Sequence, residues 1–276
     1  MRESGIRVTI SDSRPFVGTR SSRESQYTYV ESDVRVPSAE LISEIRASDC
    51  VCLCLPETVT LDAVASVLPL MSKGSLWVDT LSVKTEIAQL LAQHIGHCEL
   101  LSLNPMFAPS LGWARNAVAA VEIDSGPKTS ALHQLISSWG AQVVSISAVE
   151  HDKLTAAVQV ATHAAVLAFG QAVVHLDVDI SKTVKLATPP HRLLLALLYR
   201  IASQNPDVYW DIQTWHPLGG VVRNKLSDGV ARIDDASGAD GLQRFHELFE
   251  QIRDVLEPES DILRAWTEKL IAALTT

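Results

Sequence analysis

Residues Cys50–Thr80 read CVCLCLPETVTLDAVASVLPLMSKGSLWVDT. A continuous apolar run, CVCLCL, stops at Pro56; a helical pattern, TLDAVASVLPLM, follows; SLWVDT is a second apolar run. Strands that are apolar on both faces belong in a sheet covered by helices on both sides, and two strands joined through a helix run parallel. The alternation continues outward from this stretch. Ile6–Ile10 (IRVTI), Leu100–Pro105 (LLSLNP), Ala117–Ile123 and Gln142–Ser147 read as strands. AELISEIRAS, VKTEIAQLLAQHI and KTSALHQLISSWG read as helices between them. The pattern predicts an α/β class fold, a Rossmann-like, doubly wound and mainly parallel sheet over residues 1–148.

Beyond about residue 148 the strand signals stop. Helical stretches follow at 150–176, 181–203, 206–232 and 239–274, which predicts an all-α domain over residues 149–276. Leu193–Leu198 (LLLALL) is apolar all round, as expected of a helix in a large core or a subunit interface. Leu154–Leu176 carries no charge and is long enough to span a bilayer. Its Thr155, Gln159, Thr162, His163, Gln171 and His175 argue instead for a deeply buried helix, so no membrane partner is expected. DDASGADG (Asp234–Gly241) reads as a loop and not a phosphate cradle, because no strand precedes it.

Of the 276 residues, 47% are hydrophobic and 20% charged, the balance of a soluble globular protein. The net charge of −9 argues against a nucleic-acid surface, which needs clustered Lys and Arg. Four cysteines make no disulfide framework, and free thiols fit the cytoplasm. Cys50, Cys52 and Cys54 share one strand face, but with no CxxC pair or nearby His they read as small buried hydrophobes, and no metal is expected. The opening MRESGIRVTISDSRP lacks the apolar core of a signal peptide.

In a dinucleotide-binding unit, strand one leads through a GxGxxG turn and a helix to strand two, which ends in an acidic residue. Here Met1–Ser4 read as a last helical turn capped by Gly5, Ile6–Ile10 as strand two, and Asp12 as the acidic residue for the adenosine ribose. The turn Leu55-Pro56-Glu57 is a second candidate contact for the adenosine half. The expected cofactor is NAD, with Arg14 leaving NADP open. The chain holds no GxGxxG, so the first strand and glycine turn are missing from this reading. The expectation is that Met1 is an internal methionine and the gene product starts roughly 25–30 residues earlier.

Four motifs occur in a fixed order: VDTLSVK (Val78–Lys84), LNPMFAPS (Leu103–Ser110), ISAVEHD (Ile146–Asp152) running on to Gln159 and His163, and YRIASQNPDVYWDI (Tyr199–Ile212). In this order, over nearly the whole chain, they resemble the prephenate dehydrogenase family. The resemblance implies oxidative decarboxylation of a small cyclohexadiene substrate with NAD, and a homodimer formed through the C-terminal helices. It implies that Ser82 lies near nicotinamide and substrate, a role compatible with capping the following helix. It implies that His163 lies beside the substrate and that Arg200 holds a substrate carboxylate. Lys84, in the same SVK motif as Ser82, faces either the substrate or solvent. His151 and Asp152 are read as structural.

One departure carries chemistry. Where the family has His-Pro-Met, this chain has Asn104-Pro105-Met106. The resemblance assigns that His the proton of the substrate's C4 hydroxyl. Asn has no titratable lone pair, and losing a general base typically costs about 10²–10⁴-fold in rate. A 4-amino-4-deoxyprephenate needs no such base, because its neutral nitrogen lone pair can expel hydride before any proton leaves. That substrate is favoured over prephenate; a non-catalytic relative is the rival reading. A second departure, His216-Pro217, reads as a helix-terminal His outside the site.

Overall fold

The computed structural model describes residues 6–16 and 27–275. The helical turn and cap expected at Met1–Gly5 lie outside the described residues. The chain divides into two compact units, Met1–Leu154 and Thr155–Thr276.

In the first unit, strands and helices alternate: β1 (Thr9–Asp12), β2 (Thr28–Glu31), α1 (Ala39–Ala47), β3 (Cys50–Leu53), α2 (Glu57–Val67), β4 (Leu76–Asp79), α3 (Thr85–Leu91), β5 (Glu99–Pro105), β6 (Ala117–Asp124), α4 (Pro127–Ser138) and β7 (Gln142–Ser145). β3 to β7 form one sheet in chain order, parallel except where β6 runs against β5. β1 and β2 pair with each other, in parallel, as a separate ribbon. Val30 of β2 nevertheless shares an apolar core with Leu53, Trp77, Ile87 and Leu100. The alternation in the sequence is thus a Rossmann-like sheet.

The break between the ribbon and the larger sheet has a consequence. In a complete dinucleotide unit the first strand sits centrally, in the order 3-2-1-4-5-6. Here β1 and β3 each present an edge with no strand partner among the described residues. The expectation that Cys50, Cys52 and Cys54 are buried is therefore corrected. All three are exposed: Cys50 and Cys52 lie on β3, an edge strand among the described residues, and Cys54 follows it. No group of three or more potential metal ligands occurs among the described residues.

Ala148–His175 forms one long helical segment. It comprises α5 (Ala148–Thr155), a π-helical stretch (Ala156–Ala161) and α6 (Thr162–His175). α7 (Ile180–Leu186), α8 (Pro189–Ala202), α9 (Pro206–Trp215), α10 (Gly219–Ala236), α11 (Leu242–Leu256) and α12 (Ser260–Thr275) follow. The longer stretches expected from periodicity are divided at Pro189, Pro217 and Pro258. Proline lacks the N–H that the helical ladder needs and its ring clashes with the preceding turn. Within the second unit, Gly170 of α6 admits Leu198 of α8, whose Cδ1 lies 2.5 Å from where a β-carbon would sit.

The expected deep burial of Leu154–Leu176 does not hold within one chain. Val158, Val174 and Leu176 are 56%, 69% and 68% exposed. α11 has no buried residue, although Phe245, Phe249, Ile252 and Val255 form an apolar stripe along it. Helices this apolar need cover that the described residues do not supply.

Candidate active site

The strand register aligns the carboxyl ends of the larger sheet. Leu53 pairs with Asp79, and Asp79 pairs with Ser102. In open α/β sheets, ligands bind beyond such ends. Asp79 and Ser102 are fully buried, and Ser102 Oγ donates to Asp79 Oδ1. Asp79 also accepts from Trp77 Nε1 and from the Leu81 amide, at 3.3 Å each.

Lys84 completes this cluster, which corrects its expected place at the substrate or in solvent. Its side chain is 0% exposed. Nζ donates to Ser102 Oγ at 2.7 Å, to the Leu103 carbonyl at 2.7 Å and to Asp79 Oδ1 at 3.4 Å. An ammonium has three protons, and these acceptors use all of them. Burial pushes its pKa down, while the charge of Asp79 opposes that shift. Lys84 therefore ties the end of β4 to the end of β5.

Asn104 follows directly on β5, opposite Ala119 of β6, and is 3% exposed. Its Nδ2 lies 3.1 Å from His151 Nε2. His151, 1% exposed, places Nδ1 2.9 Å from Asp152 Oδ1. Asp152 accepts the backbone N–H of Lys84 on Oδ1 and that of Thr85 on Oδ2, both at 2.8 Å. Asp152, on α5, thus caps the amino end of α3. Burial raises its pKa, but the hydrogen bonds from His151, Thr85 and Lys84 outweigh burial and hold the carboxyl below its usual range.

Ser82 is not the helix cap. α3 begins at Thr85, with no capping side chain of its own from Lys84. Ser82 stays half-buried in the turn between β4 and α3. The contact between Asn104 and the His151–Asp152 dyad was not legible in the sequence, because 47 residues separate Asn104 from His151.

Asp12 closes β1, and its carboxylate is held by Arg14 Nε at 3.3 Å. That hydrogen bond lowers the pKa of Asp12. Leu55 and Pro56 lead from β3 into α2, whose first residue, Glu57, is buried.

In the second unit, the π-helical stretch and the first turn of α6 place Gln159 and His163 one turn apart. Gln159 Oε1 and His163 Nδ1 are buried without a hydrogen-bond partner among the described residues. Orphaned buried polar atoms are uncommon, and π-helical turns recur at functional sites. The His163 ring lies edge-on to Tyr209, with centroids 5.0 Å apart. Burial lowers the His163 pKa, and the nearby positive charge of Arg200 lowers it further. The structure thus brings His163 and Arg200 into one electrostatic neighbourhood. Arg200 is exposed on the last turn of α8. His216 ends α9 and is buried; its Nε2 lies 3.3 Å from Thr155 Oγ1, and its Nδ1 accepts from the Leu218 amide.

Residues 2–120 match the family model for the nucleotide-binding domain of prephenate dehydrogenase, and residues 147–224 match that for its dimerization domain. The chain is 42% identical over 245 residues to a 4-amino-4-deoxyprephenate dehydrogenase of Streptomyces pristinaespiralis, covering 89% of this chain and 83% of that one. Among solved structures, the fold is similar to prephenate dehydrogenase from A. aeolicus, crystallised with hydroxyphenyl propionate and NAD+. The TM-score is 0.65 at 17% identity, covering 95% of this chain and 91% of that one. Synechocystis arogenate dehydrogenase gives a TM-score of 0.59 at 17% identity, covering 87% and 86%. The two family models in their order along the chain, with that 42% identity, establish that the chain belongs to the prephenate dehydrogenase family.

Proposed function

We propose that this protein catalyses the NAD-dependent oxidative decarboxylation of 4-amino-4-deoxyprephenate to 4-aminophenylpyruvate. In that reaction the C1–carboxylate bond breaks and its electron pair enters the ring as hydride leaves C4, while bound NAD+ supplies the hydride acceptor. Aromatisation drives the step, so the residues of the chain mainly align and hold the substrate.

The observation that carries the reading is Asn104, buried at the end of β5 in place of the family's histidine. It offers a hydrogen bond to the C4 substituent and no proton acceptor of histidine strength. The reading is supported by the 42% identity to a relative named for the amino substrate. In the reading, Arg200 takes a substrate carboxylate, a planar partner for its guanidinium fork. His163 and Ser82 line the substrate. Lys84 supports the site from beneath and does not touch substrate.

For the cofactor, Asp12 fits the adenosine end: a carboxylate at a strand terminus suits ribose hydroxyls. The Leu55-Pro56-Glu57 turn, at the amino end of α2, is the second contact. The pyrophosphate requires a glycine turn, which the described residues do not include. Arg14 is engaged by Asp12, which favours NAD over NADP.

The apolar C-terminal helices fit a homodimer, in line with the dimerization-domain match. Four free cysteines suit a cytoplasmic enzyme. The test is turnover by the full-length protein of 4-amino-4-deoxyprephenate and of prephenate, each with NAD+, followed as NADH. The amino compound is expected to be the better substrate. NADH formation from prephenate alone, or from neither, refutes the reading.

A further inference from the structure

The amide of Asn104 has a defined sense of rotation. A neutral imidazole carries one N–H, and a carboxylate acceptor at Nδ1 draws the proton there. With Asp152 Oδ1 at 2.9 Å from His151 Nδ1, the Nε2 atom is the bare acceptor, and Asn104 Nδ2 at 3.1 Å donates to it. A second proton on Nε2 would set donor against donor at that distance. Asp152 is itself fixed, because its two oxygens accept the amides of Lys84 and Thr85. The amide oxygen of Asn104 receives no hydrogen bond from the described residues.

We propose that His151 is a positioning residue for hydride release: with Asp152, it holds Asn104 so that Oδ1 is presented to the C4 amine of the substrate. This rests on the amino-substrate reading above and adds how the site favours an amine. An acceptor on an amine N–H leaves the nitrogen lone pair free. That pair enters the ring as the C4–H bond gives up its electrons with the departing hydride. The reversed amide would aim an N–H at the same lone pair and withhold it from the ring. The direction of one side-chain amide thus separates a productive contact from an inhibitory one.

The experiment compares His151→Leu and His151→Gln with the wild-type full-length protein, using 4-amino-4-deoxyprephenate and NAD+. Leucine removes the acceptor and frees the amide to turn, so kcat falls about tenfold with KM little changed. Glutamine can set an amide oxygen where Nε2 stood and restores most of kcat. An unchanged kcat in His151→Leu, or an equal loss in both variants, overturns the assignment. ¹⁵N NMR of the wild-type imidazole covers the case in which the leucine variant does not fold. A protonated Nδ1 and bare Nε2 are expected; a protonated Nε2 overturns the assignment. A wild-type preference for prephenate overturns the substrate reading and this assignment with it. A preserved amine preference with unaffected His151→Leu overturns this assignment alone.

Discussion

The ammonium of Lys84 donates to the carbonyl oxygen of Leu103 at 2.7 Å, one residue before Asn104. A charge in the interior thereby fixes the backbone from which the Asn104 amide projects. Lys84 and Asp79 both have side chains at 0% exposure, so removing one partner leaves the other as an uncompensated buried charge. Lys84→Met should lower unfolding stability by about 3–5 kcal/mol, measured by urea denaturation. Adding Asp79→Asn should recover a large part of the loss.

The two candidate caps of α3 are separable. Asp152 holds the amides of Lys84 and Thr85, whereas Ser82 holds neither. Asp152→Asn should destabilise by about 1–3 kcal/mol. Ser82→Ala should stay within about 0.5 kcal/mol of wild type while lowering turnover, because its proposed role is at the substrate. Thermal unfolding and NADH kinetics on the two variants read these outcomes.

His163 should make stability pH-dependent with a definite sign. Burial and Arg200 push its folded-state pKa below the ordinary value of 6.5, so the unfolded chain takes the proton more readily. Stability is then fully present above the unfolded value and is lost as pH falls through it toward the folded value. The stability gap between wild type and His163→Phe should shift in favour of the variant between neutral and mildly acid pH. Denaturation curves across that range check it; a gap that is flat or moves the other way rejects it.

The helices left uncovered in one chain predict an oligomer. Phe245 and Phe249 lie side by side on α11, their tilted rings 5.4 Å apart between centroids, and that helix has no buried residue. Wild-type protein should sediment as a dimer, and the double variant Phe245→Glu, Phe249→Glu as a monomer.

Much of the architecture was legible because it rests on local pattern. The apolar run at Cys50–Leu53, the helix behind it and the strand at Leu76–Asp79 follow from periodicity and one proline. β2 escaped notice because four residues, TYVE, are too few for a pattern to declare itself. The exposed cysteines were misread because burial depends on a neighbouring strand, which is a tertiary fact. The site divided in the same way. Asn104 stood out by substitution within a motif. The task of Lys84 did not, because it depends on where β5 brings Ser102 and Leu103. The π-helical turn before His163 left no compositional trace in AAVQVA.

The central claim is that Asn104 sets the enzyme for an amine at C4. Its most direct test is the ratio of kcat/KM for 4-amino-4-deoxyprephenate over prephenate in wild type and in Asn104→His. The account predicts a wild-type ratio well above one. It predicts that Asn104→His shifts the ratio toward prephenate by about 10²-fold or more, since the imidazole restores a general base for the hydroxyl. A ratio that the substitution leaves unchanged, or a wild type that already prefers prephenate, would contradict it.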